Sequence, residues 1–97
     1  MIDMKHFWHT NLRRKTQLTP GCMTEEHFNK LMNISTIHSE KVLLALEDYC
    51  VRGSDRKSAC ERFNVSQGYF SICLRKLQRL NLNVADMVRF YIKGIGM

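Results

Sequence analysis

SDRKSACERFNVSQGYFSICLRKLQRL, residues 54–80, decides how this chain folds. The stretch predicts a first helix from about Asp55 to Phe63. Ser54, after the turn residue Gly53, serves as its N-cap, because a serine oxygen accepts from the unpaired first-turn amides. Asn64 ends that helix, since asparagine tolerates the left-handed backbone that a tight turn between helices demands. Val65 fills the corner and Ser66 caps a second helix. Cys60 is small enough for the two helices to cross closely, while Phe70, Cys73, Leu74 and Leu77 make one apolar stripe of the second helix facing the first. This is the pattern of a helix-turn-helix.

The opposite stripe of the second helix carries Gly68, Ile72, Arg75 and Arg79, flanked by Ser71 and Lys76. A helix lying in the major groove needs short polar residues near its N-terminus, where backbone meets base edges, and Arg or Lys further along for guanine edges or phosphates. Charge follows the same division. Between Gly53 and Asn83 the bases Arg56, Lys57, Arg62, Arg75, Lys76 and Arg79 face only the acids Asp55 and Glu61, whereas residues 23–52 are acidic on balance. Positive charge gathered on one element fits phosphate binding better than general solubility. Double-stranded DNA is therefore the expected partner, with Arg56, Lys57, Lys76 and Arg79 on phosphates. Gln67 suits an adenine edge and Arg75 a guanine. Ile72 suits either a thymine methyl or a contact with another subunit or the tail.

The whole chain sets the bounds. Ninety-seven residues, 44% hydrophobic and 25% charged, make one folded domain over residues 1–97, and a net charge of +6 with a pI near 9.4 suits an anionic partner. The longest apolar run, Val42 to Leu46, falls far short of the ~18 residues that span a bilayer, and the N-terminus lacks the apolar core of a signal peptide. A cytoplasmic protein with no membrane partner is expected. Cys22, Cys50, Cys60 and Cys73 show no C-x-x-C pairing and read as compact apolar thiols. His6 and His9 lie a helical turn apart with no second ligand pair, so no metal is expected. No phosphate loop or nucleophile elbow appears, and neither a cofactor, a small-molecule ligand nor an enzymatic activity is expected.

Taken in order, residues 1–22 read as a basic N-terminal arm containing Arg13, Arg14 and Lys15, which either lies along DNA or is a solvated tail whose Phe7 and Trp8 pack on a neighbour. Pro20-Gly21 marks a turn. Thr24 caps a short helix ending near Asn33, with Glu25 and Glu26 in its first turn. Ile34 to His38 forms a connector anchored by Ile34 and Ile37. Residues 39–52 predict a scaffold helix with Gly53 at its stop position. Leu44 and Ala45 widen its apolar face, so cover on more than one side is expected. Asn81-Leu82-Asn83 interrupts the basic helix, and a last helix over 84–93 carries a seam of Val84, Met87, Val88, Tyr91 and Ile92. That seam packs either on the scaffold helix or on another subunit, with Met87, Val88 and Tyr91 as candidate oligomer contacts. The class is all-α, a small domain of about four to five helices built around the helix-turn-helix.

Several separated runs carry a resemblance. They are Leu18-Thr19-Pro20-Gly21-Cys22-Met23-Thr24-Glu25-Glu26-His27-Phe28, then Ile34 to Val42, then Arg56-Lys57 with Cys60-Glu61, and Gly68-Tyr69-Phe70-Ser71 with Leu74, Leu77 and Leu80-Asn81. In that order they resemble the adhesin-biosynthesis transcription regulators of bacterial fimbrial operons, the Pap and Fae pilus type, from about Leu18 to Leu82. The resemblance implies a small regulator binding A/T-rich repeats upstream of a pilus operon as an oligomer. It also implies minor-groove contact, at odds with a major-groove docking of residues 68–79. Gln67 stands where relatives tend to have Asn, so the preferred operator need not be that of the relatives. The candidate DNA-binding set is thus Arg56, Lys57, Ser66, Gln67, Gly68, Tyr69, Ser71, Ile72, Arg75, Lys76 and Arg79, with Arg13, Arg14 and Lys15 as a second contact. Two other classes fit the same motif: an accessory or inhibitor at a site-specific recombination locus, and a protein-interaction adaptor.

Overall fold

In a computed structural model, which describes residues 11–96 and side chains as far as Ile92, the chain forms five helices and no strand among the described residues. They are α1 over residues 11–16, α2 (Glu25–Ile34), α3 (Glu40–Cys50), α4 (Arg56–Arg62) and α5 (Gln67–Gly96). His6, Phe7, Trp8 and His9 lie outside the described residues. The all-α expectation holds.

The stretch expected to form a helix-turn-helix is α4, its turn and the first half of α5, and its local chemistry follows the sequence closely. Asn64 takes φ 56°. Its N–H donates to the Glu61 carbonyl (3.4 Å) and the Val65 N–H to the Cys60 carbonyl (2.9 Å), which satisfies the last carbonyls of α4 in a Schellman pattern. Ser66 caps α5 by accepting from the Tyr69 N–H at 3.2 Å. The N-cap of α4 differs from the expectation. Asp55 holds that place, its Oδ1 accepting from the Ser58 N–H at 2.8 Å and its Oδ2 from the Ser58 hydroxyl at 3.2 Å. Those bonds hold its carboxyl below the usual aspartate range. Ser54 is diverted because Gly53, at φ +87°, turns the chain so that the Ser54 N–H donates to the Asp48 carbonyl (3.0 Å).

Phe70, Leu46 and Leu77 lie at the centre of the core with Val42, Cys50, Cys60 and Cys73. Burying aliphatic and aromatic side chains of this size contributes about 1.5–3 kcal/mol each. Tyr49 and Phe70 meet edge to face, ring centres 5.6 Å apart at 71°, so α3 and α5 are held by a specific aromatic geometry as well as by area. Thr24 caps α2 as expected, accepting from the His27 N–H at 3.1 Å. Ile37 anchors the connector, but Ile34 is the exposed last residue of α2. On α3, Ala45 is buried whereas Leu44 faces outward.

Two further expectations are overturned. The first concerns the end of the chain: Asn81, Leu82 and Asn83 do not interrupt, and the separate helix expected over 84–93 is the continuation of α5. At 30 residues α5 is about 45 Å long, which accounts for the longest dimension of the molecule, 48 Å. Asn81 sits inside a helix because its amide is spent elsewhere, donating from Nδ2 to the Thr16 carbonyl at 3.1 Å while the side chain is buried. Val84 still packs against the core, but the Met87, Val88, Tyr91 and Ile92 seam is exposed and does not lie on α3.

The second concerns the N-terminal arm, because Arg13, Arg14 and Lys15 stand on α1, which docks through buried Leu12 and Thr16, and buried Leu18 follows. The Tyr49 hydroxyl donates to the Leu18 carbonyl (3.2 Å), and the Leu18 N–H donates to Gln78 Oε1 (3.2 Å). Gly21, at φ +69°, completes a turn with Pro20 and donates to the Tyr49 carbonyl at 2.8 Å. Residues 11–22 are part of the fold.

Arg62 and Asp48 form a latch between α4 and α3, with Arg62 Nη1 2.6 Å from Asp48 Oδ2 and 3.4 Å from Ser54 Oγ. Asp48 is buried and needs its cation. Arg62→Ala is expected to lower unfolding free energy by about 1–3 kcal/mol, the cost of a buried acceptor left without its charged partner. Urea denaturation measures it, and an unchanged midpoint would show that the latch contributes nothing.

Candidate nucleic-acid interface

Burial of Phe70, Cys73, Leu74 and Leu77 fixes the rotation of α5, and so decides what its other side presents. Ser66, Gln67, Gly68, Tyr69, Ile72, Arg75, Lys76 and Arg79 are all exposed there. Ile72 is 44% exposed, a large apolar side chain on a basic face. Ser71 lies half-buried on the flank. Arg56 and Lys57 are exposed in the first turn of α4. Nothing stands within 4 Å of where a Cβ on Gly68 would be, so no neighbour in the fold requires glycine there.

The pairing of charges refines the basic set. Arg62 is neutralised by Asp48 and Arg52 by Glu47 at 3.0 Å, so both are structural. Arg75, Lys76 and Arg79 make no ion pair among the described residues. Three open grooves border the basic side of α5. One of about 420 Å³ is lined by Arg13, Arg14, Arg75 and Arg79 with Gln17 and Gln78. A second, of about 490 Å³, joins Arg75 to Ser71, Gln17 and Arg56. The third, of about 350 Å³, runs between Ile34–Ile37 and Lys76, Arg79 and Leu80. Among the described residues, no acid lines any of the three.

The structure therefore brings Arg13 and Arg14 beside Arg75 and Arg79, which the sequence did not show. Gln17 and Gln78 were missed altogether. The signal lay in Asn81, whose polar side chain within an apolar stripe marks a tertiary hydrogen bond as readily as a helix stop. The four cysteines are unpaired, with Cys50, Cys60 and Cys73 buried and Cys22 exposed. Burial pushes the Cys50 and Cys60 thiols above the ordinary range, which leaves them poor nucleophiles. No group of His, Cys, Asp and Glu among the described residues is arranged to hold a metal, and no described helix is long and apolar enough to cross a membrane.

The chain is similar to known proteins. Residues 2–91 match the family described as adhesin biosynthesis transcription regulatory protein. The chain is 46% identical over 78 residues to the major pilus subunit operon regulatory protein PapB of Escherichia coli, covering 80% of this chain and 75% of that one. It is also 46% identical to the AFA-III adhesin operon regulatory protein of Escherichia coli, covering 81% of this chain and 78% of that one. The crystal structure of Escherichia coli FocB is similar, with a TM-score of 0.75 at 42% identity, covering 89% of this chain and 98% of that one.

Gly68 yields a test that separates fold from function. Gly68→Ala is expected to stabilise the protein by up to about 1 kcal/mol, because alanine loses less backbone freedom in a helix and meets no neighbour. DNA affinity should nevertheless fall several-fold. Equal affinity with raised stability would show that the backbone at residue 68 does not approach DNA.

Proposed function

This chain belongs to the adhesin biosynthesis transcription regulatory proteins, a family of regulators and not of enzymes, and from that premise we propose that it acts by binding A/T-rich repeats in duplex DNA upstream of a fimbrial operon, as an oligomer. The reader is the N-terminal half of α5, and the observation that carries it is the uncompensated face of Gly68, Ile72, Arg75 and Arg79. Gln67 at the helix start and Ile72 a turn further suit an adenine edge and a thymine methyl, which favours A·T-containing sites. Ser66 and Tyr69 border the reader. Arg56 and Lys57 on α4, with Lys76 and Ser71 on the flanks of α5, supply phosphate contacts that set register without reading sequence.

The far end of the same helix supports the oligomer part of this reading. Beyond Val84, α5 leaves the core and exposes Met87, Val88, Phe90, Tyr91 and Ile92, with Tyr91 at 72%. A row of large apolar side chains on a projecting helix marks an interaction site. A second copy is the natural occupant, because one small reader module seldom supplies enough specificity alone.

Footprinting on the upstream region of the chain's own operon, with salt varied, tests the proposal. Log affinity should fall linearly with log salt, by about 0.9 for each phosphate neutralised, and Lys76→Ala should make that slope shallower by about one without changing the preferred site. Protection confined to recombination sites would favour an accessory role in recombination, and sequence-blind weak binding would favour an adaptor. Met87→Asp should abolish cooperative occupancy of adjacent repeats, read by band shift, and leave the unfolding midpoint unchanged. A lowered midpoint would place Met87 in the protein's own stability.

A further inference from the structure

We infer that Arg13 and Arg14 of α1 and Arg75 and Arg79 of α5 form one preorganised phosphodiester cleft, which seats a strand of the bound duplex beside the reader; the inference rests on the reading of α5 as the DNA-contacting helix. The cleft is an open groove of about 420 Å³ in which these four guanidinium-bearing residues converge with Gln17 and Gln78. Its walls come from segments far apart in sequence; two hydrogen bonds join them and a third holds the α1 segment to α3. Asn81 Nδ2 donates to the Thr16 carbonyl (3.1 Å), the Leu18 N–H donates to Gln78 Oε1 (3.2 Å), and the Tyr49 hydroxyl donates to the Leu18 carbonyl (3.2 Å). Within α1 the Thr16 hydroxyl donates to the Leu12 carbonyl at 2.7 Å, and both residues are buried. The backbone that carries Arg13 and Arg14 is therefore fixed against α5.

Among the described residues, no acid lines the groove and none of its four arginines makes an ion pair. Like charges held together in this way are relieved by an anion. The guanidinium fork matches phosphate oxygens in pairs, and backbone already fixed by the fold loses little entropy when the anion arrives. The adjoining groove carries the basic lining from Arg75 to Ser71 and Arg56, so the surface continues past the reader towards α4. Arg75 is thereby assigned to the DNA backbone and not to a guanine edge, and the basic segment to a fixed clamp and not to a tail that wanders into the minor groove.

The test is fluorescence anisotropy on operator and random duplexes over a salt series. Arg13→Gln with Arg14→Gln should weaken both duplexes equally, about tenfold, and make the salt slope shallower by one to two. Arg79→Gln added to that pair should cost less than it does alone, since residues serving one phosphate are not additive. Arg14→Lys, which keeps the charge, should retain the slope. An unchanged slope in the pair, or strictly additive losses with Arg79, would overturn the cleft. If operator preference then still depends on Gln67 and Ile72, the reader stands without it, whereas salt-indifferent binding by the wild type would remove the reader itself. A relaxed operator preference in the pair would also overturn the cleft, making the segment a base reader. Calorimetry with thymidine monophosphate and with a cyclic dinucleotide separates the sources of phosphate. Binding weaker than millimolar is expected, and micromolar binding abolished in the pair would reassign the groove to a free nucleotide.

Discussion

Tyr49 is the junction on which the rest of the structure depends. Its ring meets Phe70 edge to face, which seats α5 against α3, and its hydroxyl donates to the Leu18 carbonyl, which ties down the N-terminal segment. Its own carbonyl accepts from Gly21, so the turn at Pro20-Gly21 closes over the end of α3. One side chain and its backbone thus orient three parts of the chain. Burial raises the phenol above the ordinary tyrosine range, which keeps it a neutral donor at any physiological pH. With α5 fixed in rotation, Phe70 and Leu77 point inward and Gly68, Ile72, Arg75 and Arg79 can only point out.

The length of α5 then divides its work. Its first half is half-buried and basic, its middle is pinned by Gln78 and Asn81, and its last part extends past the core with apolar side chains uncovered. A continuous helix makes the proposed reader and the exposed seam one rigid body. An oligomer built on the seam would set the spacing and phase of neighbouring readers along DNA directly, without a flexible joint whose ordering costs entropy. The two halves of regulation, site choice and cooperative occupancy, would share one element.

Much of this was legible in the residues. The αL position at Asn64, the cap at Ser66 and the stripe of Phe70, Cys73, Leu74 and Leu77 are local chemistry with local signals, and the helix-turn-helix follows from them. The cap at Asp55 was missed because two cap-competent residues stand side by side, and only the buried Asp48 carbonyl and Arg62 draw Ser54 away. Asn81 misled for a related reason. Asparagine in a helical pattern signals a stop when its amide bonds locally, yet here it bonds a carbonyl far away in sequence. The docking of Arg13 and Arg14 was invisible for that same reason, since it rests on Asn81, Gln78 and Tyr49, whose partners no local pattern names.

DNA is proposed to meet the basic side of α5 together with α1, leaving the acidic side of α2 free. Backbone amide NMR during titration with an operator duplex measures this directly. Shifts should concentrate at residues 13–17, 56–57 and 66–79, and residues around Glu25, Glu26 and Lys30 should stay in place. Shifts centred on α2, with residues 66–79 unmoved, would contradict it.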